Sequence, residues 1–170
     1  SPVDVVSMRV SDGERVTIEG IDLTAMHTPG HTDDSYCFRM DDRVFTGDTL
    51  FAMGCGRLFE GDASMMWASL NKLRALPDDT TIYCSHEYTA ANAAFALSVD
   101  PDNLMLIDRA KHVGDLRSKG ESTLPTIISL EMATNPFLRA DNPSIRSHLG
   151  MPNDSDAEVF AEIRRRKDNF

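Results

Sequence analysis

The chain has 170 residues, 41% of them hydrophobic, which is enough to bury the core of one substantial domain or of a domain with an appendage. Its formal net charge of −10 argues against nucleic acid or an anionic membrane as a partner, because binding to phosphate groups needs a basic surface. No apolar run approaches the roughly 20 residues that cross a bilayer, and three cysteines without a CxxC pair fit a reducing compartment. We therefore predict a protein of the cytoplasm or the mitochondrial matrix.

The first hundred residues alternate between strand, loop and helix patterns. Strand patterns occupy, in order, residues 15–18, 21–26, 36–40, 43–46 and 81–84. Asp62 is placed to cap a helix that Pro77 ends. The apolar stripe of that helix consists of Met66, Leu70, Leu73 and Leu76. An alanine-rich helix is predicted at 89–99.

Beyond Asp100 the pattern changes to helix and loop only. A helix ending near Gly120 is predicted from its apolar positions, which are Leu104, Ile107, Ala110 and Leu116. Asn142 before Pro143 indicates a second helix start, and Ser155 with Glu158 forms a capping box for the last helix. The sequence therefore predicts an α/β (α+β) fold class, with one domain at residues 1–100 and a helical domain at 101–170.

Three polar segments each follow a predicted strand. They are residues 28–32 (TPGHT), 46–49 (TGDT) and 85–88 (SHEY). Because strand ends at one edge of a sheet converge, we expect His31, Asp48 and His86 to lie close together. Two imidazoles and a carboxylate suit a metal ion, although separate structural roles for each residue remain an equal alternative on this evidence.

Six short motifs span nearly the whole chain. In chain order they are TPGHT (28–32), FTGDTLF (45–51), GCGRLFEG (54–61), HEYT (86–89), TNPFLR (134–139) and RRRKD (164–168). Together they resemble the motifs of glyoxalase II (hydroxyacylglutathione hydrolase), a family of the metallo-β-lactamase superfamily. The resemblance implies a partial metallo-β-lactamase-like αββα sandwich at residues 1–100 and a glutathione-binding helical domain at 101–170.

The resemblance also implies the residues of the site. Two divalent metal ions are implied, zinc or else iron or manganese, with His31 on the first, His86 on the second and Asp48 bridging both; these three are the implied catalytic and metal residues. The implied substrate-binding residues are Arg57, Phe59, Tyr88, Arg164 and Lys167. The implied reaction is hydrolysis of the thioester S-D-lactoylglutathione to D-lactate and glutathione by a monomeric enzyme.

The family's first signature, a THxHxDH run that supplies four metal ligands, does not occur in this sequence. The chain thus holds three of the seven implied ligands, and His27 is expected in a buried or hydrogen-bonded role rather than as a replacement. We therefore expect the chain alone to be inactive, with an open sheet edge and exposed apolar surface. The alternatives are a persulfide dioxygenase with one iron and a non-catalytic fragment that binds glutathione.

Two groups of side chains have ordinary structural interpretations as well. Arg164 and Lys167 share a helix face, but cations in a last turn also complement the helix dipole, which is the role expected of Arg165 and Arg166. Cys55 and Cys84 flank the expected site, where buried free cysteine is commoner than a nucleophile.

Overall fold

A computed structural model describes residues 8–170 of the chain, which form eight β-strands and six α-helices. The strands are β1 (Arg15–Ile18), β2 (Ile21–His27), β3 (Tyr36–Met40), β4 (Arg43–Gly47), β5 (Leu50–Phe51), β6 (Gly54–Cys55), β7 (Thr81–Cys84) and β8 (Thr126–Ile127). The helices are α1 (Ala63–Arg74), α2 (Thr89–Val99), α3 (Leu104–Ser118), α4 (Ile128–Thr134), α5 (Pro143–Leu149) and α6 (Asp156–Asp168), with a 3-10 turn at Pro136–Leu138.

The predicted helix starts are confirmed by their hydrogen bonds. The Asp62 carboxylate accepts the amide of Met65 at 2.8 Å at the start of α1, and the Asn142 side chain caps α5 with Pro143 in its first turn. Both reciprocal bonds of the Ser155 capping box are present at α6. Local sequence therefore determines where these helices begin.

Six strands form one mixed sheet in the order β1-β2-β3-β4-β7-β8, and β5 pairs with β6 in a separate hairpin. Neighbouring strands are antiparallel except β4 and β7, which are parallel. The antiparallel steps from β2 to β3 and from β3 to β4 make β2 run in the same direction as β4 and β7. These three strands therefore end at the same edge of the sheet.

The two faces of the sheet differ in burial. Val44 and Ile82 are fully buried in a core cluster that contains residues of α1, α4 and α6. On the opposite face, Phe45, Tyr83 and Ile127 are 40%, 39% and 39% exposed, and the first two rings stack with centroids 5.5 Å apart. Apolar surface is thus exposed on this face.

The prediction of helix and loop only beyond Asp100 was wrong in one element. Residues Thr126–Ile127 form β8, which pairs antiparallel with β7 and extends the main sheet. Two residues are too few for an alternating pattern, so this strand depends on its neighbour rather than on its own sequence. The division into domains at 1–100 and 101–170 stays a prediction.

The helix α3 was predicted correctly, but its buried face was not. Leu104 is 74% exposed and Ile107 is 40% exposed, whereas Leu106, Arg109 and Val113 are buried. The buried face was assigned wrongly because it contains Arg109, and a charged residue in a sequence is normally taken to face the solvent. Within residues 8–170, no helix combines the length and hydropathy that a membrane span requires.

Candidate metal and substrate site

Three side chains meet where β2, β4 and β7 end. Asp48 lies between two imidazoles: its Oδ2 is 3.7 Å from Nε2 of His31, and its Oδ1 is 3.5 Å from Nε2 of His86. Each carboxylate oxygen therefore faces a different ring. The expected convergence of these three residues is observed, while their roles as metal ligands remain a prediction.

The orientation of His31 is determined by its other ring nitrogen. Nδ1 lies 2.9 Å from the carbonyl oxygen of Arg57, and because a carbonyl can only accept, Nδ1 donates this hydrogen bond. Nε2 is thereby left facing Oδ2 of Asp48 at 3.7 Å. A neutral ring that is bonded in this way presents the lone pair of Nε2, the atom through which such an imidazole can bind a metal ion.

Two glycines allow the chain to pass close to His31. Gly30 has φ 144°, and a Cβ there would lie 2.8 Å from Cβ of Met66 in α1. A Cβ on Gly56 would lie 2.0 Å from the carbonyl oxygen of Asp48 and 3.1 Å from Nδ1 of His31. Any larger residue at Gly56 would therefore displace the segment that carries the Arg57 carbonyl.

The β5–β6 hairpin links Asp48 to Gly56, and buried side chains from later helices hold it. The fully buried Glu131 carboxylate accepts the Met53 amide at 2.8 Å, and Asn135 donates to the carbonyls of Phe51 and Gly54. Asn92 of α2 donates to the carbonyl of Ala52. Sequence reasoning missed this support, although residues 134–139 had been singled out as a motif.

The charge of Glu131 is balanced by Arg109 of α3, whose guanidinium contacts the carboxylate. Arg109 also donates to the hydroxyls of Thr126 and Thr134, and Thr126 donates to Glu131 at 2.7 Å. Such a buried pair is tolerated because its polar atoms are hydrogen-bonded. Helices α3 and α4 thereby fix the hairpin that follows Asp48.

A cavity of about 550 Å³ opens at this edge of the sheet. All eight residues that the sequence singled out line it, namely His31, Asp48, Arg57, Phe59, His86, Tyr88, Arg164 and Lys167. Other lining residues had been given no individual role from the sequence, and they include Phe51, Asn92, Asp168 and Phe170. Metal-type ligands occupy one part of the wall and cations from α6 another.

The aromatic part of the cavity wall packs around the two histidines. The Phe59 ring is tilted against His31 with centroids 4.9 Å apart, and Phe59 is 69% exposed. The Tyr88 ring stacks on His86 at 5.0 Å and meets Phe51 edge-on at 5.4 Å. These rings limit the positions that the imidazoles can adopt and offer an apolar surface to a ligand.

The two cations of α6 have different environments. Arg164 is 5% exposed; it donates to the carbonyl of Cys55 at 3.0 Å and to Asp168 at 2.9 Å, and it lies over the Phe137 ring. Lys167 donates to the carbonyl of Ala91 at 3.2 Å and lies near the rings of Phe95 and Phe170. Burial, together with the nearby cations Arg164 and Arg57, lowers the pKa of Lys167.

The remaining candidates behave as ordinary structural groups. Nε2 of His27 lies 2.9 Å from the carbonyl of Asp33, which agrees with the hydrogen-bonded role expected for it. Burial raises the pKa of the Cys55 thiol to about 11 and also raises the pKa of Cys84, which disfavours the reactive thiolate in both. Arg165 and Arg166 both pair with Glu162 on α6.

The donor set fits a pair of divalent metal ions only in part. Within residues 8–170, no group of three or more His, Cys, Asp or Glu side chains is arranged so that it could hold a metal ion by itself. The chain offers two imidazoles and, between them, a carboxylate with one oxygen toward each ring. Imidazole and carboxylate donors suit divalent metal ions, and further ligands are needed to complete a coordination sphere.

Comparisons with known proteins agree with this architecture. The metallo-beta-lactamase superfamily matches residues 2–86, and the hydroxyacylglutathione hydrolase C-terminus matches residues 87–170. The hydroxyacylglutathione hydrolase of Maricaulis maris is 56% identical over 97% of this chain and 65% of its own length. That of Rhizobium meliloti is 53% identical over 100% of this chain and 67% of its own length.

A solved structure supports the fold independently. ETHE1 from Myxococcus xanthus has a TM-score of 0.61 and 28% identity over 95% of this chain and 53% of that chain. The metallo-β-lactamase-like fold predicted from the sequence is thus confirmed. The chain spans about two thirds of the length of the curated relatives it matches. Together these matches show that the chain belongs to the hydroxyacylglutathione hydrolase family of the metallo-beta-lactamase superfamily.

Proposed function

We propose that this chain is part of an enzyme that hydrolyses S-(2-hydroxyacyl)glutathione thioesters, with S-D-lactoylglutathione giving D-lactate and glutathione. The observation that carries the proposal is the single cavity shared by His31, Asp48 and His86 and by the cations Arg57 and Lys167. A metal-type centre suits activation of a thioester carbonyl, and positive charge at a distance from it suits an anionic peptide carrier. Relatives more than 50% identical carry the hydrolase name.

The proposed metal site consists of two divalent cations held in part by this chain. His31 and His86 would each supply an imidazole to hold these cations, and Asp48 would supply its carboxylate between them. Bound divalent cations lower the pKa of water and polarise a carbonyl, which is the chemistry that thioester hydrolysis requires. The protein's part is to hold the two imidazoles on opposite sides of the Asp48 carboxylate.

The proposed substrate contacts come from the other part of the cavity wall. Lys167 and Arg57 attract the carboxylates of glutathione, and Phe59 and Tyr88 cover its apolar surface. Arg164 supports this wall through Cys55 and Asp168. The protein works as a monomer in the cytoplasm; its three cysteines, all unpaired, suit a reducing compartment.

The proposal is tested with the 170-residue chain and with a fusion to the third of the Maricaulis maris relative that the match does not cover. We expect the chain with added zinc to bind glutathione but to leave S-D-lactoylglutathione intact, because it holds three of seven implied ligands. The fusion is expected to hydrolyse the thioester and to lose that activity in Asp48→Ala.

The outcomes separate the alternatives. The hydrolase is supported if the fusion binds two ions of zinc or another divalent metal per chain and hydrolyses the thioester. One iron per chain with persulfide oxidation would instead identify a dioxygenase. Glutathione binding without metal or turnover in the fusion would leave only a non-catalytic binding role, and turnover by the isolated chain would refute its expected inactivity.

A further inference from the structure

Asp48 is supported by a serine that the sequence reasoning did not use. Ser85 follows β7 directly and precedes His86, and its hydroxyl lies 2.5 Å from Oδ1 of Asp48. In the described part of the chain, this hydroxyl is the sole hydrogen-bond donor to the Asp48 carboxylate. Both imidazole contacts of that carboxylate, at 3.5 and 3.7 Å, are too long to be hydrogen bonds.

The proton of the Ser85 hydroxyl has two acceptors within reach, Oδ1 of Asp48 and the carbonyl of Gly47 at 3.0 Å. The Gly47 carbonyl already accepts the backbone amide of Ser85 at 3.2 Å. The carboxylate is also the stronger acceptor, and the short distance is typical of a hydroxyl bound to an anion. The hydroxyl therefore donates to Asp48, while the backbone bond holds Ser85 in place above it.

The hydrogen bond restricts a carboxylate that would otherwise rotate. The Asp48 side chain is 37% exposed and has two free torsions, so nothing else within residues 8–170 determines which oxygen faces which histidine. Ser85 binds Oδ1, the oxygen on the His86 side, and leaves Oδ2 toward His31. Oδ1 retains a second lone pair that can bind a cation.

We propose that Ser85 is a positioning residue that fixes the Asp48 carboxylate with one oxygen toward each imidazole, and that the cation on the His86 side depends on it more than the other. The inference rests on the proposed metal site. Groups that hydrogen-bond a metal ligand commonly contribute tenfold or more to metal affinity. Because Ser85 is bonded to Oδ1, its loss acts first on the cation that Oδ1 and His86 share.

The test is a zinc titration of the fusion, which supplies the ligands that the 170-residue chain lacks, followed by NMR of the histidine ring protons, which report on His31 and His86 separately. In Ser85→Ala, the His86 signals are expected to shift at about tenfold higher zinc concentration, with little change for His31. Ser85→Thr keeps the hydroxyl and is expected to restore the original titration. Ser118→Ala, which removes an exposed hydroxyl bonded to the Asp115 carbonyl, is the matched control.

Each outcome has a defined meaning. Ser85 is exposed, so the alanine variant is expected to keep the melting temperature of the parent. Unchanged zinc titrations in Ser85→Ala, or equal weakening of zinc binding at both histidines, would overturn the inference. The proposed metal site would still stand in that case if Asp48→Ala abolishes the zinc-dependent shifts of both histidines. If Asp48→Ala changes neither titration, the proposed metal site itself fails.

Discussion

At the scale of single residues, the two cations of α6 that face the cavity differ in how much charge they can offer a ligand. Arg164 is occupied by the Cys55 carbonyl and Asp168 and is almost fully buried. Lys167 has one carbonyl partner and two aromatic neighbours, and its surroundings lower its pKa. The surroundings of Lys167 disfavour its charged form, so a bound anion would stabilise that charge more than it would the already paired charge of Arg164. Lys167 is therefore the stronger candidate for binding a carboxylate.

We therefore predict that Lys167→Met weakens glutathione binding by the chain about tenfold, the loss of one charge-assisted hydrogen bond of about 1.5 kcal/mol. Isothermal titration calorimetry measures the dissociation constant directly. Arg165→Met is the matched control, because Arg165 lies on the same helix, pairs with Glu162 and does not line the cavity. Equal weakening in both variants would indicate a general effect of net charge instead of a contact.

The sequence predicted the cavity residues better than the residues that support them. His31, Asp48 and His86 each follow a strand, and strand ends at one edge of a sheet converge, so their proximity could be inferred. Ser85 could not be recognised in the same way, because a serine beside a ligand looks like any loop serine. Its role depends on the distance to Asp48, which depends on how β4 and β7 align.

At the scale of secondary-structure elements, the β5–β6 hairpin depends on residues far away in sequence. Glu131 accepts the Met53 amide, and Asn135 donates to the carbonyls of Phe51 and Gly54. Met53 adopts a φ of 54°, which a non-glycine residue adopts only when its surroundings compensate. The helices beyond residue 100 thus support the loop next to Asp48 as well as the cavity wall.

We predict that Glu131→Gln lowers the free energy of unfolding by about 3 kcal/mol, because it leaves the buried Arg109 without its counter-charge. Urea denaturation measures this loss, and hydrogen exchange at the Met53 amide is expected to accelerate. Adding Arg109→Met to Glu131→Gln is expected to recover part of the stability. Glu121→Gln, at an exposed position, serves as the control and is expected to stay within about 0.5 kcal/mol. A loss that Arg109→Met does not relieve would contradict the role of charge.

Elements with a local sequence pattern could be predicted, and elements that depend on a distant partner could not. The strands β2 to β4 and the helices α1 and α6 were predictable from alternation, apolar stripes and capping residues. Strands β5, β6 and β8 have two residues each and carry no periodicity of their own. Arg109 belongs to the buried face of α3 because Glu131 lies opposite, and sequence periodicity contains no information about a partner in another helix.

At the scale of the whole molecule, stability at low pH depends on carboxylates that hydrogen bonds keep ionised. Side-chain hydrogen bonds from Arg165 and Arg166 lower the pKa of Glu162 to about 2, and bonds from Lys72 and Thr123 lower those of Asp12 and Glu87. A group whose pKa is lower in the folded state stabilises the fold above its unfolded pKa. For Glu162 that contribution is lost as the pH falls from 4.5 toward 2.

We predict that Glu162→Gln is less stable than the parent at neutral pH, by about 1 kcal/mol because both arginines are partly exposed and solvent screens the pairs. The difference is expected to shrink as the pH falls from 4.5 toward 2, where Glu162 of the parent becomes about half protonated, and to vanish at lower pH. Urea unfolding of both proteins across this range measures it. The net charge of −10 passes through zero near the pI of about 4.8 and becomes positive at lower pH, but this change is common to both proteins and largely cancels in their difference. A difference that stayed constant with pH would mean that the arginines bind the side chain without regard to its charge.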